Sequence, residues 1–380
     1  MEKNYDILIV GGGPAGCTAA LALEGSGLKV GLLEKSIFPR DKICGDAIPG
    51  PALKVVRQIR EEWGRRLMQM QSKEIVQSSK IFNEKGNCLS VEWVLPAYNA
   101  KRLDFDFELW NLVREKTATQ CVEKVNIAAT EKVKNGFLLK DRKGNSFTAK
   151  LLLAADGANS FLAKQLADFQ MNRRHHSAAV RVYVEGVENI KQGINIFYLF
   201  KRFLPGYFWL FPISATSANV GFGMLSAEIS KRKINLKQIL RQLIREEPKL
   251  RKYFQNAKIT GKITGFGLPL GSRFASLSGD HFMLLGDAGS LIDPLQGHGI
   301  DKAMISAYLA AEQAKSAFGK QQFDATFLKQ YDYKVYQKFG AEFKRNYRLM
   351  KGVQAAPWLI DVAARFDQSK FLKSIFRRWS

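Results

Sequence analysis

DILIVGGGPAGCTAALALEGSGLKVGLLEK, Asp6 to Lys35, is the stretch whose reading decides the fold. Ile7-Leu8-Ile9-Val10 is a short unbroken apolar run, the pattern of a buried parallel strand, and three glycines stop it abruptly. Gly11 permits a tight turn, Gly13 lets the backbone approach a pyrophosphate with no Cβ in the way, and Gly16 lets the following helix lie close on the sheet. The helix is expected from about Pro14 to Ser26. Its first turn, Pro14-Ala15-Gly16, carries N–H groups without intrahelical partners and so forms a site for a diphosphate. A second apolar strand, Val30 to Leu33, ends in Glu34 with Lys35 beside it, where an acidic side chain accepts hydrogen bonds from ribose hydroxyls. An acid there repels a 2′-phosphate, which favours FAD or NAD over NADP.

At 380 residues the chain is long enough for two or three packed units. Apolar residues make up 46% of it, yet no stretch approaches the ~20 uncharged apolar residues of a membrane helix. The apolar run behind MEKNYD is broken by glycines and reads as a strand, not as the core of a signal peptide. Cys17, Cys44, Cys88 and Cys121 lie far apart without metal-ligand spacing, which points to a reducing compartment, no metal site and a cytoplasmic location. The formal charge of +23 favours acidic partners, but the basic runs, such as Lys231-Arg232-Lys233, are short and read as solvated surface.

Phe38 to Gly50 is a loop by its prolines and glycines, and it leaves the sheet directly after the ribose acid. Cys44 within it reads equally as a small packed residue or as a thiol beside the cofactor. Helix is expected from Pro51 to about Gln71, whole or broken at Gly64, and again from about Phe105 to Thr119. A hairpin turns at Asn83 to Asn87. Asp156-Gly157 follows the apolar strand Leu151 to Ala155, at the carboxyl end where open α/β sheets bind ligands. From Ala178 to Leu225 the pattern is β and rich in aromatics, which by themselves suit a sheet core. A further strand, Phe282 to Leu285, ends in Gly286-Asp287, and Gly297 and Gly299 open a long helix that begins near Ile300. No repeat or linker separates these units, so the domains interleave: 1–72, 101–172 and 265–320 bind nucleotide, 73–100 and 173–264 form a substrate sheet, and 321–380 is helical.

Taken together, GGGPAG with Glu34, Asp156-Gly157, and Gly286-Asp287 followed by Pro294 and the glycine pair resemble the three fingerprints of FAD enzymes with the aromatic-hydroxylase fold. The resemblance implies an α/β fold: a Rossmann-like FAD-binding domain interleaved with a β-sheet substrate domain, and a C-terminal helical region. It places Asp287 on the ribityl chain and the N-terminus of the late helix, at Gly297, Gly299 and Ile300, against the flavin pyrimidine edge, where the helix dipole stabilises the reduced anion. Arg102, ahead of a phenylalanine-aspartate pair, approaches FAD by the same resemblance.

YFWLFPISATSANVGFG, Tyr207 to Gly223, is similar to the Y-x-W-x-F-P-x8-G-x-G signature of geranylgeranyl reductases, matching at Tyr207, Trp209, Phe211, Pro212, Gly221 and Gly223. Lys42-Ile43-Cys44-Gly45-Asp46 looks like that family's cysteine-glycine loop, whose thiol faces the flavin. These matches imply an FAD-dependent reductase of carbon-carbon double bonds in a prenyl lipid, with the aromatic sheet as pocket wall and Cys44 as proton donor or positioner. His298, between the glycines, reads as a proton source or as a helix cap. The reductant is NAD(P)H bound outside a dedicated domain, or a reduced carrier. The rival readings are a monooxygenase or halogenase on the same scaffold and a basic flavoprotein that binds nucleic acid. A helical Lys370 to Trp379 would put Phe371, Leu372, Ile375, Phe376 and Trp379 on one face and bases around it, suiting peripheral membrane contact or docking on its own domain.

Overall fold

The computed structural model describes residues 2–361. The first part of the chain forms β1 (Glu2–Val10), α1 (Pro14–Ala22), β2 (Val30–Leu33), β3 (Ala47–Ile48), α2 (Gly50–Ile59), α3 (Glu61–Met68), β4 (Glu74–Asn83), β5 (Cys88–Asn99) and α4 (Arg102–Lys116). Next come β6 (Gln120–Val122), β7 (Ile127–Val133), β8 (Gly136–Asp141), β9 (Ser146–Ala154), α5 (Phe161–Leu166), β10 (His176–Glu185), β11 (Ile194–Leu199), β12 (Gly206–Pro212) and β13 (Ser217–Leu225). The last part holds α6 (Ser226–Lys231), α7 (Leu236–Glu246), α8 (Arg251–Phe254), β14 (Lys258–Pro269), β15 (Ser278–Gly279), β16 (Phe282–Leu284), α9 (Ile300–Lys320) and α10 (Ala325–Ala355).

Two sheets result. The first runs β15-β16-β9-β1-β2-β6, with the β7-β8 ribbon attached to β9. Its central strands β16, β9, β1, β2 and β6 are parallel, as the apolar runs require, because both faces are covered. Ile7 and Ile9 turn to α1 and α9, while Leu8 and Val10 turn to the core under the β7-β8 ribbon. The inner face of α9 is mostly alanine, including Ala307, Ala310, Ala311 and Ala314, and this small-residue face suits its close packing on α1. The second sheet runs β14-β10-β13-β12-β11-β4-β5-β3 and is covered on one face by α7 and α8, through Leu240, Leu243, Ile244, Tyr253 and Phe254.

Several boundaries differ from the sequence-based expectation. The helix after Pro49 breaks at Arg60, which is extended (φ −158°, ψ 125°), and Gly64 lies inside α3. α1 stops at Ala22, short of Ser26. Ala47–Ile48, within the first stretch assigned to nucleotide binding, pairs with β5 of the second sheet, and β14 runs through the expected boundary at 264/265. α10 packs Leu328, Tyr331, Val335 and Phe343 into the same core as α1 and α9, so it is part of the first unit's packing. The expected amphipathic segment at Lys370 to Trp379 lies outside the described residues.

Candidate active site

A cavity of about 840 Å³ runs between the two sheets. At one end is the turn after β1. Gly11 has φ +110°, and a Cβ on it would meet the Ala155 carbonyl oxygen at 2.2 Å, so only glycine fits. A Cβ on Gly16 would meet the Gly11 carbonyl oxygen at 1.8 Å, which is how α1 comes so close to the turn. Gly13 is different: its Cβ would find only Arg40 Nη2, at 3.7 Å, on the cavity side. The N-termini of α1 and α9 both open on this cavity and neither is capped by a side chain. Unpartnered amides, a glycine cradle and partial positive charge at two places fit a dinucleotide flavin.

Glu34 is buried and its carboxylate is held by two amides, Gly12 N–H to Oε2 and Ser36 N–H to Oε1, both at 2.9 Å. A carboxylate accepts about four hydrogen bonds, so capacity remains for ribose hydroxyls. Arg102 is buried and bonded through both Nε (2.6 Å) and Nη2 (2.7 Å) to Asp106 one turn on. Burial alone would weaken its charge, but Asp106 more than offsets this, and Arg102 also senses the Cys44 sulfur. Arg40 completes the cluster with a 2.6 Å bond to Asp106. The Asp156 carboxylate is spent on the start of α5, accepting from Ser160 Oγ (2.5 Å), Phe161 N–H (2.8 Å) and Leu162 N–H (3.2 Å). Burial raises the pKa of Asp287 on the cavity wall, and Lys42 and Arg102 oppose the rise.

The Cys44 loop is pinned to the second sheet through one side chain. Asn219 on β13 donates from Nδ2 to the Cys44 carbonyl oxygen and to Asp46 Oδ2, both at 2.8 Å, and accepts from Trp209 Nε1 at 3.0 Å. Tyr183 O–H donates to Asp46 Oδ2 at 2.6 Å, and the Arg102 amide to Oδ1 at 3.3 Å. Burial pushes the Asp46 carboxyl up to about 6 in spite of these donors. A buried polar network this well satisfied fixes one backbone path, and the path carries Cys44 to the cavity wall.

The aromatic segment divides by strand parity. Tyr198, Phe200, Phe208 and Phe222 enter the core under α7 and α8, while Phe197, Tyr207, Trp209 and Phe211 face the cavity. Trp209 pairs with Gly221 across the ladder, and a Cβ on Gly221 would lie 2.1 Å from the indole Cζ2. The indole therefore lies over the glycine, which aims its N–H at Asn219. Tyr207 O–H donates to the Gln296 carbonyl oxygen, tying the sheet to the loop before α9.

In that loop His298 bonds Asp301 Oδ1 through Nδ1 (2.9 Å) and Gln296 Oε1 through Nε2. Burial would lower its pKa, but the Asp301 carboxylate prevails and the net effect is a rise. Asp301 in turn pairs with Lys302 at 3.1 Å, and Lys302 with Glu342 at 3.2 Å.

Gly11, Gly13, Pro14, Ala15, Glu34, Lys35, Cys44, Arg102, Asp156, Tyr207, Trp209, Phe211, Asp287, Gly297, His298, Gly299 and Ile300 all lie on the cavity wall. Gly16, Pro212, Gly221 and Gly286 do not, and each acts through packing or the backbone. A Cβ on Gly286 would press on Ala303 of α9 at 2.7 Å, and the Pro212 carbonyl accepts from Asn99 Nδ2 at 2.8 Å. Sequence reasoning missed Asn219, Asp46 and Lys42 as individual positions. The only local signal was that two of them flank Cys44 in a loop that leaves the sheet. Among the described residues no cluster could hold a metal ion, and no helix is long and apolar enough to cross a membrane.

The geometry fits an FAD-dependent oxidoreductase, and the similarities to known proteins support that class. A model of the geranylgeranyl reductase catalytic domain matches residues 176–265, and one of glucose inhibited division protein A matches residues 6–138. The digeranylgeranylglycerophospholipid reductase of Methanocella arvoryzae is 27% identical over 365 residues, covering 93% of this chain and 88% of its own. The menaquinone reductase of Mycobacterium tuberculosis is 27% identical over 325 residues, covering 82% and 77%. A crystal structure of a geranylgeranyl bacteriochlorophyll reductase-like protein from Thermoplasma acidophilum superposes with a TM-score of 0.85 at 23% identity, over 99% of this chain and 94% of that one. A flavin-dependent brominase shares the fold at a TM-score of 0.75 and 22% identity, over 99% and 98%. The chain is thus similar to geranylgeranyl reductases, in sequence over residues 176–265 and along most of its length to the reductases above, and in fold to the Thermoplasma acidophilum protein.

Proposed function

We propose that this protein reduces isolated carbon-carbon double bonds of a prenyl, geranylgeranyl-type lipid chain. The observation that carries the reading is the continuity of one cavity from the two helix N-termini to an apolar wall that includes Ile81, Leu89, Phe197, Leu199, Leu359 and Ile360. A wall of this kind suits a hydrocarbon chain and excludes water from the reacting bond. Bound FAD supplies the hydride. An unactivated alkene accepts hydride poorly, so a proton must reach the other carbon. Cys44 and His298 are the candidate donors on the wall, the first held by the Asn219 network and the second by Asp301. The names of the two reductase relatives support a prenylated lipid substrate.

The test is anaerobic incubation of dithionite-reduced protein with a geranylgeranyl glycerophospholipid, with mass spectrometry of the product. A gain of one H2 per saturated bond is expected. Intact substrate, together with oxygen uptake in the presence of aromatic substrates, would replace the reading with monooxygenase or halogenase chemistry. Cys44→Ser should retain FAD but slow the gain, and equal rates would return Cys44 to a packing role.

A further inference from the structure

Lys42 stands apart from the other buried or half-buried lysines and arginines on this cavity, the remaining cation, Lys35, being exposed to solvent. Arg40 and Arg102 are paired with Asp106, and Arg181 with Asp41 at 2.6 Å. The Lys42 ammonium has no carboxylate within 4.0 Å among the described residues. It rests 3.3 Å from the centroid of the Phe266 ring and makes one long hydrogen bond, 3.4 Å, to the Ile43 carbonyl. The groups acting on it from a distance are Arg102 and Asp106 on α4, Asp287 ahead of α9, and Cys44 on its own loop. Partial burial, the largest influence, and Arg102 bring its pKa down to about 8 against the pull of the acids.

A cation in a partly dry site without a counter-ion is costly, and a ring face returns only about 0.5–2 kcal/mol of that. The arrangement is favourable only if an anion arrives. We propose that Lys42 is the counter-charge for the reduced state of the bound flavin. The oxidised ring is neutral. Hydride uptake brings two electrons and one proton, which leaves one negative charge in the cavity that Lys42, Asp287, Cys44 and the N-terminus of α9 share. The α9 N-terminus contributes partial charge there, and Lys42 a whole one. Phe266 holds the ammonium while the ring is neutral. Lys42 is thus a positioning residue of electrostatic kind that makes the flavin easier to reduce, and the inference holds whatever alkene is the substrate.

The experiment measures the midpoint potential of FAD in the holoprotein by dye equilibration, for wild type, Lys42→Met and Lys42→Arg. The Met variant keeps its flavin while the potential moves negative, and the Arg variant stays near wild type. Flavin release on dilution, followed separately in the oxidised and dithionite-reduced states, should show at least a tenfold loss of affinity confined to the reduced state. For a two-electron couple that is about 30 mV. An unchanged potential overturns the inference. Equal weakening of both states also overturns it, because Lys42 would then only grip the cofactor.

Discussion

Replacing Gly221 by alanine should be far more damaging than the same change two residues later. The new Cβ would lie 2.1 Å from Trp209 Cζ2 and 2.5 Å from both Cε2 and Cη2. Carbon contacts settle near ~3.5–4.0 Å, so the indole must shift by roughly 1.5 Å. The indole lies between Tyr207 and Phe211 and borders the cavity, so it can give only toward the cavity and away from its present packing, and overpacking of this kind costs about 1–3 kcal/mol. The shift also breaks the 3.0 Å bond from Nε1 to Asn219, and an unmade buried hydrogen bond costs about 1–3 kcal/mol. The sum is about 2–6 kcal/mol. At Gly223 the nearest atoms are Ala179 Cβ at 3.3 Å and the Ala178 carbonyl oxygen and Trp209 Cζ3, both at 3.7 Å, so alanine there should cost under about 1 kcal/mol. Urea unfolding of the two variants, and of Gly221→Ala in a Trp209→Ala background, separates the terms. The Gly221 penalty should fall by at least about 2 kcal/mol once the ring is gone. Equal penalties at the two glycines, or a Gly221 penalty that persists without Trp209, would refute the reasoning.

Gly13→Val should fold with little change in apoprotein stability, since its Cβ meets only Arg40, yet purify without flavin; a yellow variant with full FAD content would contradict the pyrophosphate cradle. Asp301→Asn should bring the His298 pKa below its ordinary value, because burial and Lys302 both lower it once the carboxylate is gone; imidazole NMR titration reads this directly, and an unmoved pKa would remove Asp301 from the account. The Asp46 carboxyl titrates near 6 in the fold against 3.8 as its ordinary value, so its contribution to stability is full below the lower value and is lost as pH rises through the upper one. The total is about 3 kcal/mol at about 1.4 kcal/mol per unit. Asp46→Asn should flatten that part of the stability profile between pH 4 and 7, and a variant profile parallel to wild type would show that other groups carry it.

The opening stretch was readable from sequence because its requirements are local. A strand, a turn that only glycine can make at Gly11, a helix start and an acid at Glu34 lie within thirty residues, and each constrains its neighbours through the backbone. The second glycine pair was legible for the same reason, since Gly299 directly precedes the helix it starts. The aromatic segment was legible only as β. Alternation separates Tyr207, Trp209 and Phe211 from Phe208 and Leu210, but nothing in the strand says which set meets a ligand. That was decided by α7 and α8, which cover one face and leave the other to the flavin cavity. Asn219 carried no signal at all, because its role is a bond to a carbonyl 175 residues earlier in the chain. The same holds for Lys42, whose lack of a counter-ion among the described residues is a property of α4, β14 and the α9 loop brought together around it. Spacing along the chain fixes how a backbone turns, and only the packed sheets fix which side chains share a dielectric and a charge.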